Sequence, residues 1–521
     1  MASNAQNEVA RRSGARFGGL QLARWGLGTV LLLAGCTPSP LEKAEPAQAV
    51  AAKSRPVSRP SSEPPAQPPV HTPPRVPAGP LRFLAIGGGP TPENTEVSLE
   101  QDIELVSRAL PAPGLVLFAG GSSSQTVREL DPHDKGDPVL TALGDLFSPR
   151  MGRRSRYRAP RFAAERATLD NVDARLSAAL KETGAPLVVY IAGHGEQGSE
   201  PRNNLVALWS GSSLDVAHLV ELHERHQRGL RLVATSCFSG GFAELAFAGA
   251  DARTRRPAVV TRCGLFAGTW DRETSGCDPN PNRREQESYG TSLVHALAGT
   301  RKDGTALPAG AADYDRDGQI GLLDAHTWAR IEAVSFDVPT TTSERWLREV
   351  EAGSAPIDRS LSREDAAVVD ALGKALGLGN EARVEQRWAE LDRALGEHAD
   401  SVEELEVVLA KREAEHAAAL LERWPVIDDA FHPDFADTFN TERAAIEGVL
   451  TRSPEARARV EVQQRLQGLY ERMSALAVEE ARVFRLRHAY ETLHKAAALM
   501  QRGGPDAAYY ASLLACERAA P

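Results

Sequence analysis

A histidine and a cysteine stand at the ends of two apolar runs, and side chains of these types can together carry nucleophilic chemistry. Pro186-Leu187-Val188-Val189-Tyr190-Ile191-Ala192 leads directly into Gly193-His194-Gly195-Glu196, and the apolar stretch 230–235 leads into Ser236-Cys237-Phe238-Ser239-Gly240-Gly241. Continuous apolar runs of this length suit strands buried on both faces, and in an open parallel sheet reactive groups gather beyond the carboxyl ends of the strands. That arrangement predicts His194 and Cys237 at the same sheet edge, one strand apart. An imidazole there can take the thiol proton and leave a thiolate able to attack a carbonyl carbon. Either residue alone would read as a polar turn histidine or a buried thiol.

The order strand, Gly-His-Gly, strand, Ser-Cys-Phe-Ser-Gly-Gly resembles the His and Cys motifs of caspase-like cysteine peptidases, a group that includes caspases, metacaspases and legumain-type enzymes. The resemblance covers residues 80–335, with 83–89 as first strand and turn. Several local features are similar to the legumain-like branch: Thr168-Leu169-Asp170-Asn171-Val172 before the His strand, Tyr157-Arg158 upstream, and the loop running from Leu265 through Trp270, Ser275-Gly276-Cys277 and Tyr289-Gly290. The resemblance implies a Cys237–His194 dyad and an oxyanion hole made by the N–H groups of Gly195 and Cys237. It also implies a substrate pocket near Arg158, Thr235, Trp270, Asp271 and Asp278. Metacaspases and legumains carry an acid just before the nucleophile. Here Thr235 and Ser236 stand there, so an acid for the pocket would have to come from Asp271, Glu273 or Asp278.

A second chemical motif is Asp313-Tyr314-Asp315-Arg316-Asp317-Gly318-Gln319-Ile320-Gly321-Leu322-Leu323-Asp324. Carboxylates at positions 1, 3 and 5, glycine at 6, a backbone carbonyl at 7 from Gln319 and an acid at 12 are the pattern of a calcium loop. The closing residue is Asp rather than the usual Glu, which shortens its reach and weakens binding. One such loop, entering a helix predicted at 322–331, reads as a structural clip more readily than as half of a paired sensor. No organic cofactor is indicated: Gly87-Gly88-Gly89 lacks the Lys and Ser/Thr of a phosphate loop and reads as a turn. His218, His223 and His226 read as one solvated helix face.

The elements that must position these groups are an α/β set. Strand-length runs at 81–86, 115–118, 187–192, 230–235 and 265–267 alternate with helical patterns at 99–110, 168–180 and 216–228, predicting a mostly parallel sheet flanked by helices. Beyond about residue 343 the strands cease. Stripes at Val384, Trp388, Leu391 and Leu395, and at Val462, Leu466, Leu469, Met473 and Leu476, predict an all-α region whose stripes either fill a bundle core or dock a partner as a coiled coil. Ser401 and Glu404 have capping-box spacing, and Gly503-Gly504-Pro505 breaks the last long helix, so several separate helices are predicted.

The amino end is a targeting pattern: Arg11, Arg12, Arg16 and Arg24, a short apolar run, then Leu33-Ala34-Gly35-Cys36. The run is about half the ~20 residues of a membrane-spanning helix. The ending resembles a bacterial lipobox, which implies cleavage and lipidation at Cys36 and anchoring at the outer membrane. Residues 1–36 are therefore read as signal peptide, 37–79 as a Pro/Ala-rich tether, 80–335 as the peptidase-like domain and 336–521 as the helical domain. Cys263 and Cys277 either pair as a disulfide or stay as buried thiols. Arg150, Arg153, Arg154, Arg156, Arg158 and Arg161 read as an exposed basic loop, open to self-cleavage if the pocket prefers basic residues.

With 70 acidic against 60 basic side chains the chain carries a formal net charge of −10, which excludes nucleic acid as a partner. The partners predicted are a peptide or protein substrate, a membrane through the lipid and a protein docked on the helical domain. Two functions compete: a membrane-anchored cysteine endopeptidase, or an inactive caspase-like lipoprotein serving as an interaction scaffold.

Overall fold

The computed structural model describes residues 79–131, 136–147 and 155–521. The expected signal peptide, its Cys36 and the tether lie outside them, as do Arg150, Arg153 and Arg154. Among the described residues no helix is long and apolar enough to cross a membrane.

The core is a six-stranded sheet. Its strands are β1 (Phe83–Gly88), β2 (Gly114–Phe118), β5 (Leu187–Gly193), β9 (Leu230–Ala234), β10 (Arg262–Phe266) and β11 (Thr340–Thr341), in the order β11-β10-β9-β5-β1-β2. All neighbours run parallel except β11, which closes one edge antiparallel. Two small antiparallel sheets lie outside it: β3 (Val127–Leu130) with β4 (Ser155–Arg158), and β6 (Gly195–Glu196) with β7 (Leu205–Ala207) and β8 (Ser213–Asp215).

Alternation along the strands shows why continuous apolar runs were needed. Leu84 and Ile86 of β1, and Leu187, Val189 and Ile191 of β5, pack on one face with α3 (Leu169–Lys181) and α4 (Val216–Glu224). Phe83 and Ala85, with Val188, Tyr190 and Ala192, face the other way, onto α1 (Val97–Ala109), α5 (Tyr289–Leu297) and α6 (Leu322–Glu332). Both faces are covered, so polar residues have no place on these strands.

The helical region is not a separate body. Beyond α7 (Thr342–Glu349) and α8 (Arg363–Leu376), α9 (Glu381–Leu421) and α11 (Pro454–Arg502) run as long helices, with α10 (Phe435–Arg452) between them and α12 (Gly504–Arg518) last. Leu499, Leu513, Leu514 and Cys516 join the same apolar cluster as the strands, and the last strand of the sheet lies past residue 335. The stripes are satisfied internally: Val384 and Leu391 meet Val483, Leu486 and Leu493, and Val402 and Leu409 meet Val462, Leu466 and Met473.

Three expectations are corrected. Ser401 caps no helix; α9 runs unbroken through it, and its hydroxyl donates to the Glu397 carbonyl one turn back. Cys263 does not pair with Cys277 but forms a disulfide with Cys516, tying β10 to α12, and Cys277 is disulfide-bonded too, so neither stays a buried thiol. His223 is not solvated; it is buried, its Nε2 2.9 Å from the Arg228 carbonyl, and burial lowers its pKa to about 4. The break at Gly503 and Gly504 occurs as expected, both at positive φ.

Candidate active site

Two close approaches of glycine build the site. β5 ends at Gly193 and is in register with Gly88 at the end of β1, where a Cβ on Gly193 would fall 2.7 Å from the Gly88 carbonyl oxygen. His194 follows at once. On the neighbouring strand, Ala234 pairs with Ile191, and Cys237 stands three residues beyond. A Cβ on Gly195 would fall only 2.0 Å from the Cys237 carbonyl oxygen, so the backbone after the histidine lies directly on the backbone of the cysteine. Both sequence-predicted residues thus reach one edge of the sheet through adjacent strands.

The His194 ring is held at one nitrogen. Nε2 lies 2.8 Å from the Asn94 carbonyl oxygen and 3.2 Å from Glu96 Oε2. With two acceptors there, the proton belongs on Nε2 and Nδ1 is the basic nitrogen. Nδ1 lies 4.0 Å from Cys277 Sγ. The turn 89–96 makes this possible: a Cβ on Gly89 would collide with the Asn94 carbonyl at 1.8 Å, so the chain can fold back onto the strand end only with glycine there.

The pair is covered. Cys237 is 1% exposed and His194 3%. Residues 270–277 form a strap over the thiol: Cys237 Sγ accepts the Thr274 N–H at 3.2 Å and donates toward the Thr274 carbonyl at 3.5 Å. The strap is fixed from both sides. Inside, Phe238, at φ 57°, donates its N–H to the Arg272 carbonyl at 2.8 Å, and buried Asn204 donates to the Phe238 and Trp270 carbonyls. Outside, the Arg272 guanidinium makes two bonds, of 2.9 and 2.8 Å, to Glu480 on α11 and lies 4.7 Å from the Phe484 ring centre. Glu480 also accepts from Trp388 Nε1 on α9, while Ser275 is bonded to buried Asp337.

The ladder between β6 and β7 runs through the bond from Ala207 N–H to the His194 carbonyl, so the Gly195 N–H points away from β7. That leaves its direction compatible with an oxyanion donor.

The pocket candidates separate. Asp278 comes close to the groups that hold His194: its backbone bonds Ser98, its carboxylate feels Glu96, and burial raises its pKa. Thr235 lies buried with its hydroxyl on the Ile191 carbonyl, and Asp271 accepts from Thr269 within the strap. Arg158 is already bound, by two bonds to buried Glu100 and one of 2.9 Å to Glu129. Arg156 also pairs with Glu129, so these two arginines lie on β4 in ion pairs and not on a free basic loop.

In the calcium motif, oxygens of Asp313, Asp315 and Asp317 lie within 4.8 Å of one another, and buried Asp313 Oδ1 has no hydrogen-bond partner. Gly318, at φ 88°, donates to Asp313 as the sharp turn requires. Asp324 accepts the N–H groups of Tyr314 at 2.7 Å and Gly321 at 3.0 Å, and burial lifts its pKa to about 6. Gln319 is exposed at position 7. The three converging donors are all oxygen and suit calcium, whereas Asp324, expected to close the loop, is not among them and caps the start of α6. Glu96, His194 and Cys277 also bring their atoms within 4.8 Å of one another, but Cys277 is disulfide-bonded and the histidine belongs to the pair, so this trio is no metal site.

Sequence reasoning missed Asn94, Glu96, Asn204 and the Arg272–Glu480 clasp. All of them act across segments distant in the chain; Asn94 and Glu96 at least stand in the turn after β1, the same kind of position that pointed to His194, whereas nothing local marks Asn204 or the clasp. Scanned against protein-family models the chain matches none, and a search of curated proteins returns no significant match.

Proposed function

We propose that the chain is a cysteine endopeptidase of caspase-like type, with Cys237 as nucleophile and His194 as general acid and base, tethered to a bacterial envelope through lipid on Cys36. The observation that carries this reading is the contact of Gly195 with the Cys237 carbonyl, which sets the histidine and cysteine turns against each other beyond parallel strands. The mostly parallel sheet agrees with the fold that the sequence resemblance implies.

In the reaction, Nδ1 of His194 takes the thiol proton and the thiolate adds to the peptide carbonyl carbon. The N–H groups of Gly195 and Cys237 hold the oxyanion. The imidazolium then protonates the leaving amine as the C–N bond breaks, and a water activated by the same imidazole hydrolyses the thioester. Entry of a substrate requires residues 270–277 to leave the thiol, because Thr274 holds both its donor and its acceptor positions. Calcium at 313–324 would brace this half of the molecule: Arg363 bonds the Asp315 carbonyl and the Arg518 carbonyl abuts Gly321.

The burial of the pair favours one competitor, a non-catalytic envelope scaffold in which the strap never opens. Labelling of the chain lacking residues 1–36 with peptidyl electrophiles carrying Arg, Lys, Asn or Asp at the scissile position, with and without calcium, separates the two. Labelling lost in both Cys237→Ala and His194→Ala is expected. A folded protein that never labels favours the scaffold.

A further inference from the structure

We infer that Glu96 is a positioning residue for His194, so that the Cys237–His194 pair works with a carboxylate behind the imidazole; this rests on the peptidase reading of that pair. Glu96 immediately precedes α1, and its carboxylate makes no cap bond to that helix. It turns away to His194 Nε2 at 3.2 Å and to Arg128 Nη2 at 3.1 Å. Glu96 and His194 are both buried, whereas Arg128 reaches solvent.

The groups facing this pair come from three segments: Arg128 stands on β3, the uncharged Asn94 carbonyl shares Nε2, and the end of the strap brings Asp278 and the disulfide-bonded Cys277, which lies at Nδ1. Burial works to raise the Glu96 pKa, but His194 and Arg128 outweigh it and hold the carboxylate below its ordinary range. Glu96 is therefore an anion at neutral pH. When the thiol proton moves to Nδ1, the imidazolium forms against a fixed negative charge in a dry site, where opposite charges at this range favour the charged form strongly. The Asn94 carbonyl alone would fix the ring orientation. The carboxylate adds a preference for the thiolate–imidazolium state, and Arg128 tempers it.

The test is the pH titration of the His194 imidazole by NMR of protein carrying 13C at histidine Cε1, with the signal assigned by its absence in His194→Gln. This readout does not need the strap to open or a substrate to be known. In Glu96→Gln the midpoint is expected to fall by about one pH unit or more, with Glu96→Asp intermediate. Arg128→Met, which removes the opposing cation and leaves Glu96 in place, is expected to raise it, and serves if Glu96→Gln does not fold. On a cleaved peptide, Glu96→Gln is expected to lower kcat about tenfold or more with KM nearly constant. A folded Glu96→Gln whose His194 midpoint matches the wild type overturns the assignment, as does an unmoved midpoint in Arg128→Met. A shifted midpoint with no hydrolysis by the wild type would keep the carboxylate coupling and remove the peptidase reading.

Discussion

Gly195 is the residue on which the geometry of the pair turns, because no side chain fits between it and the Cys237 carbonyl. Gly195→Ala forces the two turns apart by more than an ångström, and displacements of that size at reacting groups cost about a hundredfold in rate. Turnover of a peptide substrate should fall at least that far. Stability should drop by only about 1–3 kcal/mol, the usual cost of one overpacked methyl, measured as a shift in the denaturant midpoint. The carboxylates of the calcium motif make a separate residue-scale prediction. Asp313 Oδ1 is buried without a partner, and desolvation holds Asp324 partly protonated near pH 6. A divalent cation among Asp313, Asp315 and Asp317 supplies the partner that Asp313 Oδ1 lacks, so calcium should raise the melting temperature, more at pH 7.5 than at pH 5.5 where protons compete. Asp313→Asn should abolish most of that rise. An unchanged melting temperature across a millimolar calcium titration would mean the loop is only an acidic turn.

Element by element, the strands were readable because burial on both faces leaves an unmistakable apolar run, and the four central ones fall within a few residues of where the runs predict. His194 and Cys237 were readable for the same reason, as polar residues that end such runs. What could not be read were partners set by tertiary contact. Nothing near Arg272 announces that it will meet Glu480 more than two hundred positions on, and β11 is two residues long. Ser401 misled because its spacing to Glu404 is a capping box in sequence, while α9 has apolar residues before and after it that must stay in helical phase to meet α11. The strap is the element whose behaviour matters most. It is held on Cys237 by a half-buried arginine paired with one buried carboxylate, and breaking such a pair is strongly destabilising to the contact. Glu480→Gln should therefore raise the rate of Cys237 alkylation by iodoacetamide about tenfold or more, read by peptide mass mapping. Hydrogen exchange should quicken within 270–280 while β5 and β9 stay protected. Equal alkylation rates in the variant and the wild type would show that the clasp does not control access.

At the scale of the whole molecule, the carboxyl-terminal helix is bound into the sheet's own core, so that its state is coupled to the site. Cys516 is joined to β10, the strand beside the nucleophile's strand, and Glu517 next to it reaches the start of α7. Glu517 accepts the Thr342 hydroxyl at 2.5 Å, the Ser343 hydroxyl at 2.6 Å and the Ser343 N–H at 2.8 Å. Complete burial still outweighs these bonds, and with Glu344 nearby it raises the Glu517 pKa from 4.5 to about 7. A carboxyl group whose pKa is higher folded than unfolded binds its proton more tightly in the native state. Its contribution to stability is then fully present below about pH 4.5 and is lost as pH rises through about 7. The shift corresponds to on the order of 3 kcal/mol. Glu517→Gln keeps the shape without the proton, and other raised groups such as Asp324 cancel when the two proteins are compared. The unfolding free energy of the wild type relative to Glu517→Gln should fall by that order between pH 5 and pH 8, measured by urea titration with the disulfide intact. A constant difference across this range would mean that the carboxylate is ionised throughout and is held by its three donors, with α12 docked equally well at either pH.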